Sequence, residues 1–524
     1  MPGLVLSRRR LLHAGAGLAL TGAGLLGGAG CARQQLAAAM PEDTPPQRGG
    51  RLRAAFIGGT TETANVLFAV MTAVDYVRAR AVFDTLGELD DDGKPVWRLA
   101  ESVEGDATGS RWTIRLRSGP TFTNNRPVTA ADVLFSIRAY LEHKAPQSAL
   151  LADVDLAASR AADPRTATVV LRRPNAFFDL TLTQSLFIVP AGATDFANAV
   201  GSGPFTITSH QPGKPALLAA NRSYWDADSG GPYLDELELI PIPDATARVN
   251  ALKAGQIDYA ASVPLPAARA EAANQALRVL TPPKSAWASL GVAFHRAKPP
   301  FTDARVVEAM RYAVDRDAMV RTVTLGMGET AQDRHGAHYP YYATDLPTRG
   351  HDPERARSLL AAAGASGLSF TLRTSDYEYG MVEAALTLAD QARAAGVSIR
   401  LDKVPANDYF RDPAAYLQTP AQSLNNHPKP LPLEVLYYYG AGALAGFTGM
   451  TGPTIDPLVQ AVRGATTEDK RRTALGDIQR FLHDNGGDLI YARAPIVALA
   501  GARVRGVQAR GYAAWPSFRD AFLA

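Results

Sequence analysis

A single cysteine in 524 residues has no partner for a disulfide, and it cannot form a thiolate zinc or iron–sulfur site. Long hydrophobic runs are missing too. The most apolar stretch, Leu11 to Gly30, sets Leu11, Leu12, Leu18, Leu20, Leu25 and Leu26 among glycines and alanines, too weak a mixture for a permanent membrane span. Charge of one sign is also lacking. Basic side chains number 54 and acidic ones 51, and Arg8, Arg9 and Arg10 account for the whole excess, leaving a neutral body. Such a body offers nothing to a phosphate backbone, which excludes nucleic acid as a partner. The basic residues are mostly arginine, with only nine lysines. No Gly-x-Ser-x-Gly elbow, P-loop or His-Glu-x-x-His occurs. What is present is a 46% hydrophobic composition and enough length for two to four soluble domains.

Residues 1–30 have a basic start, an apolar middle and a small-residue end, the order of an export signal. Ser7-Arg8-Arg9-Arg10-Leu11-Leu12-His13 resembles the twin-arginine export motif, with Arg8 and Arg9 as its pair, Leu where Phe is usual and His where Lys is frequent. Gly28-Ala29-Gly30-Cys31 resembles a bacterial lipobox, departing from it at Gly28, so cleavage before Cys31 and lipidation of its sulfur are expected. Residues 31–50, with Pro41, Pro45, Pro46, Gly49 and Gly50, read as a flexible tether.

Beyond Arg51, strand and helix patterns alternate. Trp112, Ile114 and Leu116 alternate with polar residues as in a half-buried strand. Thr129 with Asp132 three residues on predicts a capped helix, and a second helix is expected after Thr302 with a restart at Asp315. Asp352-Pro353 opens another helix, and residues 368–404 read as a βαβ unit with parallel strands. Leu433 to Gly440 reads as a strand.

Several segments, in order, resemble the extracytoplasmic solute-binding proteins of the oligopeptide, dipeptide and nickel ABC importers, bacterial solute-binding protein family 5. These are Gly49 to Arg53, Phe83-Asp84-Thr85-Leu86, Leu99-Ala100-Glu101-Ser102, Trp112 to Arg117 leading to Thr129-Ala130-Ala131-Asp132-Val133, Gly201-Ser202-Gly203-Pro204-Phe205, Asn221 to Trp225, and Pro300 to Val306. The resemblance implies a two-lobed periplasmic-binding-protein-like α/β fold (type II, cluster C-like) with an extra N-terminal subdomain. It places lobe I at 51–285, the subdomain at about 69–195, lobe II at 286–480, and a return to lobe I at 481–524, with crossings near Trp287 and Phe481. The function implied is a lipid-anchored, extracytoplasmic, monomeric binding protein that has no enzymatic activity and no cofactor. It would close around a peptide or other organic solute and deliver it to the membrane subunits of an ABC importer. The alternatives are an enzyme exported by the twin-arginine route and a ligand-sensing lipoprotein without a transporter.

Ligand contacts are expected from Trp287, from Tyr437, Tyr438 and Tyr439, and from Asn426 and His427 ahead of them. In the peptide binders the corresponding stretch holds a Trp followed by an Asp that meets the peptide's amino group. No acid lies between Glu434 and Asp456 here, which favours a capped or non-peptide solute unless Asp376 or Glu378 takes that role. His335, His338 and His351 read as surface or cleft histidines and not as a metal site, and Gly440-Ala441-Gly442 with Gly446 lacks dinucleotide spacing.

Overall fold

The computed structural model describes residues 44–60, 62–184, 186–198, 200–507 and 515–524. The export signal with Arg8 and Arg9, Cys31 and most of the tether lie outside them. Among the described residues no helix is long and apolar enough to cross a membrane.

Two mixed sheets organise two lobes. The first sheet runs in the order Leu277–Leu280, Ala498–Gly501, Tyr259–Ala260, Arg51–Phe56, Glu236–Pro241, Ala216–Ala220, Phe205–Ser209. The second runs Glu329–Thr330, Asp488–Ala494, Ala288–Phe294, Ala421–Asn426, Ser369–Ser375, Ser398–Val404. An antiparallel four-stranded sheet, formed by Ala100–Gly105, Arg111–Leu116, Thr166–Leu171 and Val154–Asp163, builds the extra subdomain. In it Trp112, Ile114 and Leu116 are buried while Arg111, Thr113 and Arg115 are exposed, the alternation that period-two patterning requires.

Caps decide where the helices start. Asp132 accepts hydrogen bonds from Thr129 N and Oγ1, both at 2.7 Å, at the head of Ala130–Glu142. Asp303, one residue later than expected, caps Ala304–Ala313. Asp315 caps Arg316–Val323 and Asp352 caps Pro353–Ala362. The βαβ unit forms as expected: Ser369–Ser375 and Ser398–Val404 pair in parallel, and Met381–Ala392 lies between them. Gly396 leaves the helical segment at φ 76°, a conformation costly for residues with a Cβ.

Two expectations need correction. Leu431–Tyr438 is a helix and not a strand. Pro432 suits its first turn, and all its residues except Tyr437 are buried, so no polar stripe marks a period of 3.6. The strand of this region lies upstream, at Ala421–Asn426. The chain leaves the first sheet after Leu280 and enters the second at Ala288, with Trp287 just before that strand. Phe481, however, lies inside the helix Glu468–Asn485. The strand after it, Asp488–Ala494, pairs with Ala288–Phe294 in the second sheet, so the return to the first sheet falls between Ala494 and Ala498.

Candidate functional site

The signature segments of the first lobe converge on one another. A Cβ on Gly201 would meet Val82 O at 1.9 Å, and one on Gly203 would meet Val82 C at 2.6 Å, so only glycines let this strand entry run against the end of helix Ala73–Val82. The approach fixes Asp84, whose carboxylate accepts from Trp225 Nε1 at 2.8 Å and Tyr224 OH at 3.2 Å. Burial pushes its pKa up to about 6 against the pull of Arg98 and these hydrogen bonds. Arg98 and Arg519 meet Asp226 at 2.8 and 3.1 Å. Beside them opens a mainly polar cavity of about 420 Å³, lined by Tyr76, Arg80, Asp84, Glu88, Arg98 and Arg519 among others. The motifs most legible in the sequence therefore build the first lobe's frame.

The lobes meet through a few side chains. Tyr377 packs against both the first lobe's core and one of the second lobe's. His427 lies 5.6 Å, ring to ring, from Trp515 of the C-terminal segment. Ser262 Oγ donates to Glu378 Oε1 at 3.5 Å. Farther out, Arg463 of the second lobe pairs with Asp153 of the subdomain at 3.0 Å and accepts from Ala176 N at 2.7 Å through its carbonyl. Leu89, Ala176, Phe177 and Leu180 are buried in the second lobe's cluster.

Helix Leu431–Tyr438 and the loop before it form the second lobe's wall. Tyr437, the helix's least buried residue, has its hydroxyl pushed up to about 12 by burial, with Tyr76 of the first lobe and Glu434 adding to the shift. Lys429 stands over it, its Nζ 4.4 Å from the Tyr437 ring centre and 5.5 Å from that of Tyr438. His427 is pushed down to about 3 by burial and by the charge of Lys429, so its ring is neutral. Asn426 ends the strand, with its Nδ2 buried and lacking a partner among the described residues, as are Asn425 Oδ1, Glu434 Oε2 and Trp287 Nε1. Buried polar atoms are usually paired, so their concentration at this wall is informative.

The sequence-predicted residues thus divide. Asn426, His427 and Tyr437 come together at the wall, and Trp287 occupies the crossing segment. Tyr438 and Tyr439 stand behind them: Tyr438 stacks on His335 at 5.2 Å, and Tyr439 donates to Asp488 at 2.7 Å. Of the acids considered, Asp376 pairs with Lys403 at 2.6 Å on the surface, while Glu378 is buried between the lobes. Lys429, Trp515 and Tyr76 were not anticipated. Lys429 did have a signal, since it is one of few lysines and lies between two prolines.

The histidines do not form a set. His335 is buried, not on the surface, with its Nε2 3.5 Å from Asp488. His338 is exposed and meets Glu329 at 2.6 Å, and His351 is exposed. Elsewhere Glu62, Asp75 and His210 bring ligand atoms within 4.8 Å of one another. Arg78 ion-pairs with both acids, and Asp75 Oδ2 accepts from Thr63 N and Thr72 Oγ1, so this is an arginine-centred ion cluster. Gly440 donates to Met450 O and begins a loop, with no helix at the spacing a dinucleotide requires.

Two α/β lobes, joined by two crossings and facing each other through aromatic and polar walls, define a solute-binding protein. The chain belongs to the bacterial extracellular solute-binding proteins, family 5, whose model matches residues 94–440. It is similar to a probable di/tripeptide-binding protein of Pseudomonas aeruginosa, 26% identical over 79% of this chain and 85% of the relative. It is also similar to the oligopeptide-binding protein AppA of Bacillus subtilis, 25% identical over 68% of this chain and 69% of the relative. Among solved structures, the binding protein AgaA of A. tumefaciens R10, in complex with agropinic acid, superposes with a TM-score of 0.81 at 22% identity, covering 91% of this chain and 99% of that one. These relatives are all named as binding proteins.

Proposed function

We propose that this chain is the lipid-anchored, extracytoplasmic binding subunit of an ABC importer for a peptide or a related organic solute, held between the lobes. The observation that carries the reading is the second lobe's wall. His427, ring to ring with Trp515, and Tyr437, within electrostatic reach of Tyr76, bring flat faces to the side turned toward the first lobe. Asn426 beside them and Trp287 in the crossing segment hold buried polar atoms without partners among the described residues. The relatives' names support the solute class. The two crossings supply a hinge, and closure around a solute turns binding into a shape that membrane subunits can read.

Titration with a panel of di- and tripeptides, free and N-acetylated, tests this reading. A ligand at a hundredfold excess over its Kd raises stability by about 2.7 kcal/mol, and small-angle scattering then shows a smaller radius of gyration. Tight binding without compaction would remove the hinge mechanism. The anchor has a separate test. Two or three acyl chains hold a protein firmly on a bilayer, so Cys31→Ala moves it from the membrane fraction to the soluble one. An unchanged fractionation would remove the lipid anchor.

A further inference from the structure

Resting on the reading that a solute binds between the lobes, we propose that the solute carries a carboxylate or equivalent oxyanion, and that Lys429 receives it. Lys429 is fixed in place. Pro428 and Pro430 flank it, and its backbone N donates to Glu434 Oε1 at 3.0 Å. The ammonium donates to His427 O at 3.2 Å and Tyr438 OH at 3.3 Å, both neutral acceptors and both at long range. Among the described residues no carboxylate lies within the 4.0 Å of an ion pair. Glu434 is the acid whose charge acts on it. That side chain spends one oxygen on the Lys429 backbone, and its charge is shared with His335.

Lys429 is half-buried, and an ammonium drawn even partly out of water without an anion is costly, a cost that two tyrosine faces return only in part. Seven of the chain's other eight lysines are exposed, some of them paired with acids as Lys253 is with Glu271 and Lys403 with Asp376, whereas Lys298 and Lys429 are half-buried. Here burial holds the ammonium below the ordinary lysine range, with only Glu434 opposing it. The position is also specific. Its neighbour His427 reaches Trp515 of the C-terminal segment, and the tyrosine beneath it feels the hydroxyl of Tyr76, so the ammonium stands on the side of the second lobe that faces the first. His427 is neutral and adds a ring without a second charge. The site has one positive point and flat flanks, which suits a single oxyanion attached to a planar or apolar body. An ammonium end would be repelled there, so a peptide enters with its carboxyl end or an acidic side chain towards Lys429.

Affinity selection with mass-spectrometric readout tests the proposal. The probe is a defined library of tripeptides and small organic acids, each present as the free acid and as its carboxamide. Wild-type protein is expected to retain acids over their amides by about ten- to a hundredfold, the range of a charge-assisted hydrogen bond. Lys429→Met loses that preference and Lys429→Arg keeps it, while both melt within a few degrees of wild type, because the ammonium has no ion-pair partner whose loss would unfold the lobe. Equal retention of acids and amides by wild type, or a preference that survives in Lys429→Met, overturns the proposal alone. Retention of nothing in the library overturns the solute-binding reading and the proposal with it.

Discussion

Replacing Asp333 with Asn is expected to destabilise the protein by about 3–5 kcal/mol, the cost of breaking a buried ion pair by removing one partner. Asp333 is fully buried among three arginines. Arg316 Nη2 contacts both its oxygens, at 2.7 and 2.8 Å, while Arg349 and Arg311 stand at 3.8 and 3.9 Å. The arginines in turn hold backbone carbonyls. Arg311 donates to Asp488 O at 2.9 Å, His483 O at 2.7 Å and Gly486 O at 3.0 Å, and Arg349 donates to His483 O at 2.7 Å. One carboxylate therefore keeps together the helices Ala304–Ala313, Arg316–Val323 and Glu468–Asn485 and the strand Asp488–Ala494. Asn isolates the charge, because it keeps the shape and tolerates the φ of 58° at this position. Urea unfolding should show a lower midpoint at unchanged slope. A loss below about 1 kcal/mol would mean that the three guanidinium groups are satisfied by carbonyls alone.

The second large effect depends on pH. Burial pushes the Glu378 carboxyl up to about 7, opposed by Arg248 and the hydrogen bond from Ser262. The native state therefore holds this proton more tightly than the unfolded chain, whose carboxyl has the ordinary value of 4.5. The associated stability is fully present below about pH 4.5 and is lost as pH rises through about 7, to a total of about 3 kcal/mol at 1.36 kcal/mol per unit. Glu378→Gln keeps the shape and removes the titration. Wild type should lose stability between pH 5 and pH 8, with a much smaller loss in the variant. Parallel profiles would place the titrating proton elsewhere. Because Glu378 is buried where it meets Ser262 of the other lobe, closure has to desolvate its charge, so ionisation should weaken closure and solute affinity should fall over the same interval.

The sequence revealed the parts whose physics is local. Thr129 with Asp132, Asp315, and Asp352 with Pro353 are short-range caps, and the 368–404 unit switches visibly between periods of two and 3.6. The helix Leu431–Tyr438 was misread because a short, nearly all-buried apolar run has no periodicity to separate helix from strand. Read as a strand, this run points to Tyr438 and Tyr439, whereas the actual strand end at Asn426 leads directly to Lys429. The Asp333 cluster left no trace, since residues 311, 316, 333 and 349 become neighbours only through the tertiary fold. In the first lobe the resemblance rested on Asp84, Gly201, Gly203 and Trp225, residues that build the frame. Family and fold were therefore legible, and ligand recognition was not.

The strand order of the first sheet also sets a timetable for folding. Every strand of the second sheet comes from residues 288–494, so that lobe is complete once this continuous stretch has been made. The first sheet, by contrast, holds a gap from its early strands until Ala498–Gly501 arrives to sit between Tyr259–Ala260 and Leu277–Leu280. Until then Tyr259–Ala260 has an unpaired edge and Leu277–Leu280 has no strand partner, and closing the gap requires contact between residues far apart in the chain. The first lobe, although begun first on the ribosome, is the last to finish, and a nascent chain stopped short of Ala498 carries an open, adhesive sheet edge.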